Sequence, residues 1–483
     1  MQRQDRPVHE LPSFIRYLNK VFDFRTAVAT LADSRVEPEI PPAAVFLATF
    51  HGFVFRLRSF QQLEAEISQP AFRNWIGARR AFRDDVLRYS LCGFSLPPLE
   101  AMLVDVNRTL KRNKVFEEGR VQGRIVAALD GIEVLSSYSR CCDACLERRV
   151  LVRKGGVKVE QVQYYHRAVA CQIVSGPVKA VLAVEWLQPG EGEEAAALRL
   201  LHQLPKLYGS RFFDILLLDA LYAQALVLQC AAQHGWDLVI SLKGNRPELY
   251  ESAVRLFALR PPDLEFTETV RGKTYQGQIW DTPGLPLSAA DPDSPLVRVV
   301  RSEEKLTQNH YRRGQLQSET TEHEWMWLTT LEPQAFPPRL VRGLGHERWK
   351  QENNGWNDLT QNWSLKHGFL HACRHRPHLA PTPANQPSSP VANAATAETS
   401  PAAPQRTDHQ KPQLIPNRGL PAVALILMLA FNLCAAFTQC HSKLVRRYRL
   451  TGIEVARQLR VSVSKLPPRI RAPDCPAPPP RTI

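Results

Sequence analysis

Two short apolar runs, each ending on an aspartate, most constrain how this chain can fold: Ala127-Ala-Leu-Asp130-Gly131 and Ile215-Leu-Leu-Leu-Asp219. Apolar runs of this length without a polar face read as strands buried on both sides. Such strands need helices against each face, so the central part of the chain is expected to be α/β. The flanking pattern agrees. Ile125–Asp130 reads as a first strand, and Val150–Ser175 as a hairpin turning at Lys154-Gly-Gly-Val157. Val178–Leu187 is a further strand. A helix then opens on the acids of Pro189-Gly-Glu-Gly-Glu-Glu, which suit the positive end of a helix, and runs to about Leu204. Ile215–Asp219, a helix over Tyr222–His234 and a strand at Leu238-Val-Ile-Ser-Leu242 complete the series.

Around this core the composition changes. Residues up to about 120 read as helical, and Ala78–Arg112 carries apolar residues at three- and four-residue spacing. The basic residues Arg79, Arg80, Arg83, Arg88, Arg108, Lys111, Arg112 and Lys114 there suit either a DNA-contacting region or a solvated helix face. The stretch 121–265 forms the first part of the core. Residues 266–332 read as a β-rich insert, with strands at Phe266–Val270, Lys273–Asp281, Leu296–Glu304 and Thr321–Leu328. A helix over 333–375 is followed by a Pro-, Ala-, Ser- and Thr-rich linker at 376–416, an apolar helical region at 417–465 and a proline-rich tail at 466–483.

With 61 Lys and Arg against 47 Asp and Glu, the net charge of +14 favours a polyanionic partner, nucleic acid before an anionic membrane surface. No apolar segment follows Met1-Gln-Arg-Gln-Asp-Arg, so a secretory signal is not expected. The ten cysteines do not form a disulfide framework, and a reducing cytoplasm is the expected compartment. Leu420–Phe437 is long enough to span a bilayer, and Lys443, Arg446 and Arg447 follow it. Asn432 inside the run and its many alanines favour a buried core helix, so no membrane partner is expected.

The chemistry concentrates in a third segment, Arg348-Trp-Lys-Gln-Glu352-Asn-Asn-Gly-Trp-Asn-Asp358. Arg348 and Glu352 are one helical turn apart and share a face. A carboxylate beside a guanidinium stays ionised, as a ligand for a hard divalent cation must. Asp130, Asp219 and Glu352, two from strands and one from a helix, suit a two-metal phosphoryl-transfer site, with Asp130 bridging both ions. Glycine after Asp130 would let phosphate or metal approach closely. Taken singly, each acid has a plainer reading as a turn residue or a helix ion pair.

The blocks Leu129-Asp-Gly-Ile-Glu, Leu218-Asp-Ala-Leu-Tyr-Ala, Val239-Ile-Ser-Leu-Lys-Gly-Asn-Arg-Pro-Glu-Leu-Tyr and Arg348-Trp-Lys-Gln-Glu-Asn-Asn-Gly-Trp resemble the acidic blocks of DDE-type insertion-sequence transposases. The resemblance is to the branch with a β-strand insertion before the glutamate, and it spans about Arg124 to His371. It implies an RNase H-like mixed sheet flanked by helices, with an inserted β-rich subdomain and a helical N-terminal domain. It further implies cleavage and strand transfer at the inverted-repeat ends of double-stranded DNA, two Mg²⁺ ions (or Mn²⁺) at Asp130, Asp219 and Glu352, Arg348 as a catalytic neighbour, and a homodimer in the paired-end complex. Hairpin-forming members carry a tyrosine three residues before the arginine and a lysine seven after the glutamate. This chain has Gly345 and Leu359 there, so the resemblance does not extend to a hairpin step. A catalytically inactive DNA-binding descendant, a generic Mg²⁺ nuclease and a membrane-anchored basic protein are the alternatives.

Expected DNA contacts are Lys243 and Arg246 at a helix start, and Lys273, Arg298 and Trp325 on the insert, where basic and aromatic side chains share strands. Lys366, with His367, is a further phosphate contact. Cys142 and Cys145 form one Cys-x-x-Cys pair, with His166 and Cys171 near it across the hairpin. Buried thiols are the expected state of that cluster and a structural Zn²⁺ knuckle the alternative.

Overall fold

The computed structural model describes residues 10–142, 144–270, 272–312, 315–350, 356–366, 419–442, 445 and 450–465. Among these, ten strands form one mixed sheet in the order β2-β3-β1-β5-β6-β10-β9-β8-β7, with β4 paired to β3. The strands are β1 Val126–Ser137, β2 Leu146–Lys154, β3 Val157–Ile173, β4 Val181–Trp186, β5 Ile215–Leu218, β6 Asp237–Ser241, β7 Leu264–Val270, β8 Lys273–Pro286, β9 Leu296–Arg312 and β10 Gln315–Thr329. The helices preceding the sheet are α1 Glu10–Phe22, α2 Phe24–Ala29, α3 Pro42–Val54, α4 Phe60–Ser68, α5 Pro70–Ile76, α6 Asp84–Cys92 and α7 Leu96–Arg112. Then follow α8 Glu193–Tyr208, α9 Ala225–His234, α10 Pro247–Ala258, α11 Pro338–Lys350, α12 Asn357–Gln361, α13 Gly419–Ala436 and α14 Gly452–Val461.

The centre of the sheet is parallel: β5 lies between β1 and β6, running with both. These strands alternate between two apolar layers. Ala127, Leu129, Leu216, Leu218, Leu238 and Ile240 belong to the large core that α8, α9 and the helical region share. Val126, Ala128, Ile215, Leu217 and Val239 face a smaller core closed by Val341 and Leu344 of α11. Both faces are covered, which is why these segments read as unbroken apolar runs.

The inserted strands run longer than their sequence alternation predicts, and they continue the main sheet, because β10 pairs antiparallel with β6. Buried ion pairs tie the insert to α11. Arg342 makes two bonds to Glu304, at 2.9 and 2.8 Å, and one to Glu268 at 2.7 Å, while His346 Nε2 lies 3.0 Å from Glu304. Glu304 is buried, which by itself would raise its pKa, but His346 and Arg342 outweigh burial and hold it at about 2.

α13 is long and apolar enough to cross a membrane, yet it lies inside the fold against α3, α6 and α7. Asn432, wholly buried, explains the polar residue within its apolar run. It accepts from Val181 N–H at 2.9 Å and donates to Val181 O at 2.8 Å and to Asn107 Oδ1 at 3.0 Å. The helix is thereby pinned to β4 and to α7. Two of the basic residues considered for DNA, Arg108 and Lys111, donate to the carbonyls of Leu207 and Arg211, so they dock α7 onto the end of α8 and the loop after it.

Candidate active site

Asp130 and Asp219 come together through strand register. The β1–β5 ladder pairs Val126 with Ile215, Ala127 with Leu216 and Ala128 with Leu217. Continued by two residues, that register sets Asp130 opposite Asp219. Side chains alternate along a strand, so both acids fall on the face of Ala128 and Leu217, the face that α11 covers. There the last full turn of α11 supplies Arg348, which is buried. One terminal nitrogen of its guanidinium lies 3.6 Å from Asp130 Oδ2, and the other 3.6 Å from Asp219 Oδ1. Lys243, on the loop after β6, approaches Asp219 Oδ1 to 3.7 Å.

Burial dominates the electrostatics of Asp130. The carboxyl of Asp130 is pushed up to about 6, chiefly by burial. Arg348 and the Gly131 N–H, which donates at 2.9 Å, work against that rise, while Asp219 and Glu193 add to it. Asp219 Oδ1 is buried and accepts no hydrogen bond among the described residues. Two hard oxygen donors on facing strands, one left without a hydrogen bond, fit a hard divalent cation.

A fourth acid, Glu193 at the start of α8, escapes the sequence reading. It lies 2.5 Å from Arg167 Nε and accepts from the Tyr222 hydroxyl at 2.7 Å. Its carboxylate fills the space beside Gly131, where an added Cβ would stand 2.2 Å from Glu193 Oε2. The opening expected at that glycine for phosphate or metal is therefore occupied by the protein itself. β1 also runs on past Asp130 to Ser137, so the acid sits within a strand. The only sequence signal for Glu193 is its place in the acidic run that opens the helix.

The remaining expected residues divide. Glu352 and His367 lie outside the described residues. Lys273 and Lys366 are exposed. Arg246 is half-buried and donates to Ala223 O at 2.5 Å, bracing the turn after Asp219, with Asn245 doing the same at Ala220 O. Arg298 lies inside the fold. It is bonded twice to Asp281 at 2.7 and 2.6 Å and also to the carbonyls of Leu331 and Phe336, so its charge is engaged within the fold. Arg301 and Lys305 on the same strand pair with Glu324 and Glu322 across β10. Trp325 is half-buried, stacked on Trp327 at 6.3 Å and edge-on to His346 at 5.3 Å, while Trp280 is core.

Gly345 has a structural reason. An added Cβ would meet the Trp327 indole at 2.2 Å, so the indole fills the space a larger side chain would need.

No family model matches this chain, and no curated protein matches it. Among solved structures it is similar to a piggyBac transposase synaptic complex with hairpin DNA, at 10% identity and a TM-score of 0.36, covering 96% of this chain and 81% of that one. A likeness at that level carries no argument about this chain's activity.

Proposed function

We propose that this chain is a DNA transposase whose sheet is built as an RNase H-like core and whose carboxylates bind divalent metal to cut and join phosphodiesters. The observation that carries the reading is the convergence of Asp130 and Asp219, from facing parallel strands, on the single guanidinium of Arg348. The strand order β4-β3-β1-β5-β6, with β3 antiparallel to β1 and β5 and β6 parallel to it, supports the core assignment. The net charge of +14 supports a nucleic-acid substrate.

In this reading Asp130 and Asp219 hold Mg²⁺ or Mn²⁺, with Glu352 as the third acid by its one-turn spacing from Arg348. The bound ions would activate a water or a 3′-hydroxyl and stabilise the leaving oxygen. Arg348 does two things. In the free protein its one charge is shared between the two carboxylates, and beside DNA its guanidinium would bind a phosphate oxygen. Lys243 adds a second cation at the mouth of the site. Glu193, held by Arg167 and Tyr222, keeps the segment after Asp130 in position.

The test is to incubate the purified chain and its Asp130→Ala variant with a linear duplex bearing the inverted repeats that flank its gene, with Mg²⁺ or Mn²⁺. End-specific nicking by the wild type alone is the expected result. Cutting without regard to the ends would make it a general nuclease, and binding without cutting by both proteins would make it an inactive descendant.

A further inference from the structure

We propose a structural Zn²⁺ site formed by Cys142, Cys145 and His166, which staples the β1–β2 connection to strand β3. This site is separate from the carboxylates and does not depend on the transposase reading.

Three donor atoms already form a triangle of ligand size. Cys142 Sγ and Cys145 Sγ are 3.7 Å apart, and His166 Nε2 lies 3.2 Å from the first and 3.3 Å from the second. Tetrahedral zinc, with Zn–S near 2.3 Å and Zn–N near 2.0–2.1 Å, sets S···S at about 3.8 Å and S···N at about 3.6 Å. The side chains thus stand within a few tenths of an ångström of the required spacing, with the imidazole aimed between both sulfurs. Cys145 and His166 are buried, so the cluster is no chance meeting of surface side chains.

The backbone is shaped for the same purpose. Cys142 N–H points at Cys145 Sγ at 3.2 Å, and Cys145 N–H closes the turn on Cys142 O at 3.1 Å. The amide donor fixes the direction of Cys145 Sγ within the turn. The ring of His166 is also oriented, meeting Trp186 of β4 edge-on at 6.5 Å. The three donors leave the fourth position of a tetrahedron to water or to a donor beyond them.

The location gives the ion its role. His166 pairs with Leu135 near the end of β1, and its neighbour Tyr165 pairs with Leu146 at the start of β2. The cysteines lie in the connection between those strands, at the base of the long β2–β3 arm. Zinc would fix that base, where a short irregular loop otherwise has to hold the arm on the sheet.

A second group, His202, Cys230 and His234, supplies the internal control. It is looser, with 3.8 Å between Cys230 Sγ and His202 Nδ1, and His202 is exposed.

The experiment is elemental analysis of the full chain purified from zinc-supplemented cells, together with spectra after cobalt exchange. One zinc per chain is expected, with a thiolate-to-cobalt charge-transfer band. Cys142→Ser, Cys145→Ser and His166→Ala should each lose the metal and the band, while His234→Ala and Asp130→Ala keep both. A His166→Cys variant should retain zinc and show a stronger thiolate band, which decides the matter if the serine variants fail to fold. Metal-free wild-type protein overturns the proposal. So does zinc that is lost in His234→Ala and kept in the Cys142 and Cys145 variants, or a His166→Cys spectrum unchanged from wild type.

Discussion

Glu193 occupies the space that Gly131 leaves open, 2.2 Å from where a Cβ would stand, and it is held there by Arg167 and Tyr222. A methyl group at 131 therefore has to displace a carboxylate held by two partners. Gly131→Ala should cut DNA cleavage at least tenfold while costing only about 1–2 kcal/mol of stability, since the displaced group is the end of a flexible side chain. Parallel cleavage assays and urea titrations would check this. A loss of activity no larger than the loss of folded protein would reduce Glu193 to scaffolding.

The raised pKa of Asp130 makes a signed prediction. A folded-state value near 6 against 3.8 unfolded means the folded chain holds its proton longer. The resulting stabilisation is present below pH 3.8 and is lost as pH rises through about 6. Above that pH the ionised carboxylate costs roughly 3 kcal/mol. Asp130→Asn should thus be more stable than wild type at pH 7.5, with the gap closing toward pH 4. Mg²⁺ should raise the melting temperature of the wild type at pH 7.5 and leave the variant unmoved. Thermal melts at the two pH values, with and without Mg²⁺, measure both effects.

How much of this was legible in the sequence depends on the range of the interaction. The buried segments leading up to Asp130 and Asp219 show as apolar runs because both faces of the sheet are covered, and Arg348 shows through its helical neighbours. Glu193 does not, because its partners Gly131, Arg167 and Tyr222 come from three other segments and only folding assembles them. The surroundings of Arg298 were hidden for a related reason: a basic residue on a strand looks like a surface charge until Asp281 and two carbonyls close around it. Composition could not separate a membrane span from α13 either, since burial in lipid and burial in protein both select apolar residues.

The contacts of Glu304 couple the insert to the helix bearing Arg348. Glu304→Gln should cost about 3–5 kcal/mol at pH 7, because Arg342 would keep a buried positive charge facing a neutral amide. The pKa near 2 fixes the pH dependence. The stabilisation from Glu304 is present above about pH 4.5 and is lost as pH falls through about 2. Denaturant unfolding of both proteins at pH 7 and at pH 2.5 should show the gap narrowing at the lower pH. A constant gap would mean that the ion pairs contribute packing alone.

Asn432 tests whether α13 belongs inside the fold. In Asn432→Leu, Val181 N–H and Asn107 Oδ1 lose the partners that Asn432 provides, in a site that excludes water. Each unsatisfied group costs about 1–3 kcal/mol, so the variant should lose roughly 2–6 kcal/mol. Adding Asn107→Leu removes the stranded acceptor, so the double variant should be less destabilised than the sum of the two single changes. Urea midpoints for the two single variants and the double variant measure that coupling. For a helix lying in lipid, replacing asparagine by leucine would instead be favourable. A stabilised Asn432→Leu protein would therefore remove α13 from the core and return it to a membrane.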